Sequence, residues 1–141
     1  MFVLDTNVVS ELRKAKAGKA DRRVAAWAAS VPPAALFISA ITILELELGV
    51  LMIERRDARQ GALLRAWLDG HVVPAFAGRV LPVDTAVAQR GAKLQVPDRR
   101  GDRDVLIAAT AMVHGMTVVT RNVDDFEPTG VPVFNPWDHD A

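Results

Sequence analysis

Three acids, Asp5, Glu45 and Asp104, stand in surroundings where acids are costly. At helical spacing Glu45 shares a face with Ile41, Leu48 and Met52, and Asp104 shares one with Ile107, Ala108 and Ala111. A carboxylate buried without a partner costs several kcal/mol and tends to protonate, and several close together also repel. A divalent cation relieves both problems, and ligands that are all oxygen suit Mg2+ or Mn2+. That is the chemical case for a metal cluster. Plainer readings exist for each acid. Asp5 and Asp104, taken singly, read first as helix N-caps worth about 1 kcal/mol apiece. Glu47, flanked at helical spacing by Ile43, Val50 and Leu51, has as good an apolar setting as Glu45. Asp124 and Asp125, beside Phe126, read as turn acids.

For distant acids to meet, the chain must carry them to one place. Phe2-Val3-Leu4 is a short apolar run suited to a buried parallel strand, and Asp5-Thr6-Asn7 then caps a helix beginning at Val8. A second helix starts near Asp21 and is stopped by Pro32-Pro33. Leu36-Phe37-Ile38 is the next strand, ending at Ser39. From Ile41 to about Arg56 the chain is apolar nearly all round, which predicts a helix buried on several sides. Another helix is expected from Arg59 to His71. Val80 to Val83 is a strand, and Asp84 caps a helix running to about Gln95. Asp102 or Asp104 caps the helix that ends at His114, with Gly115 as its stop. Met116 to Val119 forms a strand ending at Thr120, and Val131 to Phe134 a last edge strand, where proline is tolerated. Strands alternating with helices predict an α/β fold with a parallel sheet covered on both faces. Sites in such sheets lie outside the strands' carboxyl ends. Asp5, Ser39 and the run Thr120-Arg121-Asn122 all fall there, with Glu45 and Asp104 near the starts of neighbouring helices.

Composition narrows the function classes. The chain has 141 residues, about one domain's length, and half of it is apolar. It contains no cysteine, which excludes disulfides, thiolate metal sites and cysteine nucleophiles, and suits a reducing compartment. Met1 to Asp5 lacks the basic start of a signal peptide, and charged residues and prolines interrupt the apolar Val24–Met52 region, so no membrane span is expected and the location read is cytoplasmic. With 17 basic and 17 acidic residues the formal charge is zero, so nucleic acid is not held by bulk charge alone. Basic residues do crowd two segments, Arg13 to Arg23 and Arg55 to Arg65, although such runs are usually solvated helix faces.

In order along the chain, Leu4-Asp5-Thr6-Asn7-Val8-Val9-Ser10-Glu11-Leu12, Ser39 to Leu46 with Gly49, Asp104 to Ala111, Thr120-Arg121-Asn122-Val123 with Asp125-Phe126, and Phe134-Asn135-Pro136-Trp137 resemble PIN-domain ribonuclease toxins of the VapC type, most closely their FitB-like subgroup. Any one segment is weak; all in order are strong and span nearly the whole chain. The resemblance implies a single PIN domain over residues 1–141, an α/β/α sandwich around a central, mainly parallel sheet of four to five short strands. It implies a toxin that cleaves RNA with Mg2+ or Mn2+, is inhibited by a cognate VapB-like antitoxin, and forms a homodimer. By position, Asp5 and Asp104 become the central metal ligands and Glu45, rather than Glu47, the third acid. Asn122 stands where family members often carry a fourth acid, which leaves open whether one or two metals bind and whether Asp125 or Asp124 compensates. Thr6, Ser39 and Thr120 become hydroxyls that orient carboxylates or the attacking water. Arg13, Lys14 and the Arg55–Arg59 group become candidates for gripping the RNA backbone, and the helices around Val24–Trp27 and Leu44–Met52 candidates for interfaces.

Other classes fit less well. A phosphorelay receiver would want paired acids after the first strand and a lysine where Thr120-Arg121 stands. An aspartate-nucleophile phosphatase would want a second Asp at the position of Asn7. No Gly-rich phosphate loop is present. A catalytically silent domain that only binds an antitoxin is the remaining alternative, which Asn122 keeps in view.

Overall fold

In the computed structural model, which describes residues 1–140, the first three apolar residues form the centre of the molecule. Strand β1 (Phe2–Leu4) lies between β2 (Leu36–Ser39) and β4 (Thr117–Val119), and β3 (Val80–Leu81) and β5 (Val133–Phe134) extend the sheet outward in the order β3-β2-β1-β4-β5. Every pairing is parallel. Parallel strands need crossovers, and helices supply them: α1 (Thr6–Leu12), α2 (Arg22–Ser30), α3 (Ala40–Arg56), α4 (Ala58–Trp67), α5 (Val73–Ala75), α6 (Thr85–Leu94), α7 (Asp102–His114) and α8 (Val123–Phe126).

The strand period of two decides which core each residue joins. Leu4, Ile38 and Val119 face a cluster with Val8, Val24 and Trp27, while Val3 and Val118 face one with Ile107, Ala108 and Phe126. So α1 to α4 cover one sheet face and α7 with α8 the other, which is the α/β/α sandwich expected. Trp27 anchors the first core, its ring edge-on to Phe2 at 5.3 Å and tilted against Phe134 at 5.5 Å.

Several element bounds differ from expectation for identifiable reasons. The two edge strands are shorter than their apolar runs: Pro82 follows β3 and Pro132 precedes β5, and neither has an N–H to donate. The helix expected to end at His71 continues through a wide π turn, Leu68–Val72, into α5, ahead of Pro74, which cannot donate to the carbonyl four residues back. The expectation that the Ile41–Arg56 helix is buried on several sides is corrected: α3 buries Thr42, Leu46 and Val50, but leaves Leu44, Leu48, Leu51 and Met52 exposed. It packs chiefly against α4, with smaller contacts to β2, α7 and α1, so its outward face keeps apolar residues uncovered. The α3–α4 hairpin is tight. A Cβ on Gly61 would lie 2.5 Å from Glu54 Cα, and Arg65 bridges Glu47 at 2.6 Å and Glu54 at 3.3 Å. Among the described residues, no helix is long and apolar enough to cross a membrane.

Candidate active site

The register of β1 on β4 pairs Leu4 with Val119, and the residues that follow them therefore emerge side by side. The Asp5 N–H donates to Val119 O at 2.8 Å, and the Thr120 hydroxyl donates to Asp5 Oδ2, also at 2.8 Å. Oδ1 of the same carboxylate accepts from the Thr6 N–H at 2.8 Å, capping α1. Asp5 is only 5 % exposed. The cap reading and the site reading are thus both satisfied by one side chain, because a carboxylate has two oxygens and more acceptor sites than a cap needs.

Glu45, in the second turn of α3, is held from the α1 side. The Thr6 hydroxyl donates to Glu45 Oε1 at 2.8 Å and lies 3.3 Å from the Thr42 hydroxyl. Arg103 stands 3.6 Å from the other Glu45 oxygen. Glu47, its rival at the level of periodicity, points to α4 and pairs with Arg65. Asp104 lies in the first turn of α7, whose N-cap is Gly101 rather than Asp102 or Asp104. The cap reading of Asp104 is therefore set aside, and its carboxylate lines a cleft of about 530 Å³ together with Asp5 and Glu45.

The electrostatics follow from that crowding. Burial pushes the Asp104 carboxyl up to about 6, with Asp5, Asp125 and Glu45 adding repulsion in that order. Asp5 is also raised, chiefly by burial, although the Thr120 and Thr6 hydrogen bonds oppose the rise and Glu45 and Asp125 reinforce it. Asp125, exposed on α8, acts on the cluster through its charge. Asn122 lines the cleft, and its N–H donates to the Thr120 hydroxyl at 3.0 Å. Thr120 therefore ties the first acid to the Asn122 backbone. Ser39 is placed differently: its hydroxyl accepts from the Ile41 N–H at 3.0 Å and caps α3, and it does not line the cleft.

The donor set fits Mg2+ or Mn2+. It is oxygen only, burial and repulsion leave two of the acids raised even after the hydrogen bonds to Asp5, and Asp104 retains both oxygens for an ion. Among the described residues no three His, Asp or Glu side chains are grouped tightly enough to enclose an ion by themselves. The protein's share would be partial, in keeping with the habit of Mg2+ of retaining several waters and binding one or two carboxylates plus substrate phosphate.

Of the cations expected to grip substrate, Arg13 and Lys14 line the cleft, whereas Arg55, Arg56 and Arg59 do not. Residues given no role at the level of sequence also take part. Asn7 donates to Asp5 Oδ2 at 3.3 Å and accepts from the Arg121 N–H at 3.3 Å, and Arg121 and Trp137 line the cleft. All three fall in the segments that carry the resemblance to PIN-domain toxins, and that was the signal that could have found them.

The similarity of the chain to known proteins covers this whole arrangement. A family model described as PIN domain matches residues 2–130. The "VapC ribonuclease Y4jK" of Sinorhizobium fredii is 41 % identical over 98 % of this chain and 99 % of its own. Among solved structures, that of FitAcB from Neisseria gonorrhoeae superposes with a TM-score of 0.88 at 37 % identity, covering 98 % of this chain and 99 % of that one. A toxin–antitoxin complex from Klebsiella pneumoniae gives a TM-score of 0.66 at 25 % identity, covering 96 % of this chain and 98 % of that one. With its sheet order, its acid cluster and these relatives in agreement, the chain belongs to the PIN-domain family.

Proposed function

We propose that the chain is the toxin of a VapBC-type toxin–antitoxin system, an endoribonuclease that hydrolyses RNA phosphodiester bonds with Mg2+ or Mn2+ in the cytoplasm. The observation that carries this reading is the meeting of Asp5, Glu45 and Asp104 in one cleft, in a chain similar throughout to a protein named as a ribonuclease. Asp5 and Asp104 would hold the ion, which when bound supplies an activated water and neutralises charge on the phosphate. Thr120 fixes the orientation of Asp5, and Thr6 that of Glu45. Glu45, so held, would orient the attacking water. Asn122 offers an amide to the substrate or the ion's shell without adding charge, and Asp125 supplies negative potential from α8.

The partners follow the relatives. One of them is a toxin–antitoxin complex, so a cognate VapB-like antitoxin is proposed as the inhibitor. The uncovered apolar face of α3 supports contact with a second copy of the chain, giving a homodimer.

Incubation of the purified chain with total cellular RNA tests the activity. Cleavage in Mn2+, its arrest by EDTA and its absence in Asp5→Asn and Asp104→Asn chains are expected. Cutting that persists in chelator would point to a metal-free reaction. A chain that binds its antitoxin but cuts nothing would favour the silent alternative, for which the uncharged Asn122 is the specific observation.

A further inference from the structure

The cleft that gathers the acids repels a polyanion, so cations near it must hold the substrate. Most charged neighbours are already engaged: Lys14 pairs with Glu11 at 3.1 Å and Arg103 with Glu45 at 3.6 Å. Two arginines that line the same cleft are held in another way. The Arg121 guanidinium lies over the Trp137 ring, 5.1 Å from its centroid, and the Arg13 guanidinium lies over Trp67 at 5.8 Å. Among the described residues, neither guanidinium has a carboxylate partner or a side-chain hydrogen bond.

An indole face holds a guanidinium through its quadrupole and uses none of its N–H groups. The planar fork is kept in place and remains free, which is the state needed to grip a phosphate with two parallel hydrogen bonds. Both rings are themselves anchored. Trp137 and Trp67 are half-buried and pack against the core that contains Trp27. The backbone beneath the Trp137 ring is also fixed: its N–H donates to Asn135 Oδ1 at 2.9 Å, and its carbonyl accepts from the Arg23 guanidinium at 3.3 Å. On the other side, the Arg121 backbone is tied to Asn7, which also contacts Asp5. The arginine is thus referenced to the acid cluster at its backbone and to the core at its tip.

We propose that Arg121 and Arg13 form a phosphate clamp that seats single-stranded RNA across the acid cluster, each arginine gripping a backbone phosphate beside the scissile one. Trp137 and Trp67 are positioning residues that act through them. This rests on the nuclease reading above. It adds Arg121, carried by the end of β4, to the substrate contacts, and separates Arg13 from Lys14, whose charge Glu11 already meets.

The test uses the full chain and a fluorescently labelled single-stranded oligoribonucleotide, with cleavage followed in Mn2+ and binding measured on Asp104→Asn protein across a salt series. Each phosphate contact to a single strand contributes about 0.7 to the slope of log affinity on log salt. Arg121→Ala and Arg13→Ala should each lower that slope by about 0.7 and weaken binding about tenfold. The loss in cleavage should fall on KM. Trp137→Leu should weaken binding when Arg121 is present and add nothing to Arg121→Ala, and Trp137→Phe should restore the affinity. A thermal melt checks folding, and the exposed arginine variants decide the matter if Trp137→Leu does not fold. Unchanged slopes in both arginine variants of a chain that does cut RNA would overturn the clamp alone. A Trp137→Leu effect that persists undiminished beside Ala at position 121 would overturn the positioning role. A wild-type chain that cuts no RNA would overturn the nuclease reading and the clamp with it.

Discussion

If burial and repulsion really burden Asp104, removing its charge must stabilise the metal-free protein. In the fold this carboxyl holds its proton to about pH 6, against an ordinary value of 3.8. The folded state therefore binds the extra proton across that window. The group's favourable contribution is complete below about pH 3.8 and is lost as pH rises through about 6. A shift of about two units corresponds to about 3 kcal/mol at 1.36 kcal/mol per unit. Asp104 is only half-buried and lines an open cleft, so solvent screening cuts this to roughly 1.5 kcal/mol. The N-terminus of α7 favours the anion by roughly 0.5 kcal/mol, leaving about 1 kcal/mol. In a chain of this size that moves the melting temperature by about 4 °C. Asp104→Asn should therefore melt about 4 °C higher than wild type at pH 7.5 in EDTA, with the difference fading toward pH 4. Added Mn2+ should reverse the order, because only the wild type keeps the full ligand set. Scanning calorimetry at several pH values measures all of this. A variant less stable than wild type in EDTA at pH 7.5 would refute the reasoning, since it would mean that the carboxylate is net stabilising without a metal.

Three further outcomes follow from particular contacts. Thr120→Val removes the donor to Asp5 and the acceptor for the Asn122 N–H; activity should fall about 10- to 100-fold, measured as kcat with Mn2+ titrated to saturation, and a fully active variant would count against the orienting role. Glu45→Gln should lose cleavage, while Glu47→Gln, which only loosens the Arg65 bridge, should cut RNA like wild type; equal losses in the two would undo the assignment of Glu45. Gly61→Ala places a methyl against the Glu54 backbone and should cost about 1–3 kcal/mol in denaturant unfolding, and a gain in stability would show that the hairpin is looser than its geometry implies.

Elements were legible wherever local chemistry specifies them. Asp21, Asp84 and Gly115 mark helix ends by hydrogen bonds and a left-handed φ that neighbouring residues alone decide. Asp104 reads as a possible cap by residue type, but a cap is chosen by backbone geometry at the helix entry, and Gly101, with φ −59° and ψ 128°, takes that place. The apolar surround of Glu45 reads as burial at helical spacing, but α3 turns Leu48 and Met52 outward. Hydrophobicity says what a face could bury, and only the neighbouring elements decide whether anything covers it.

The acids themselves, their oxygen-only donor set and their placement near strand and helix ends were determined by the sequence, because residue type and local periodicity carry that information. The tertiary structure decided which of them meet. The register of β1 on β4 joins Asp5 to Thr120, Thr6 selects Glu45 while Arg65 claims Glu47, and the Arg121 guanidinium comes to lie over the Trp137 ring. Such partners lie well beyond the reach of one helical turn, from 16 residues apart for Arg121 and Trp137 to 115 for Asp5 and Thr120, and no local propensity encodes a contact made only when the sheet closes and the helices pack against it.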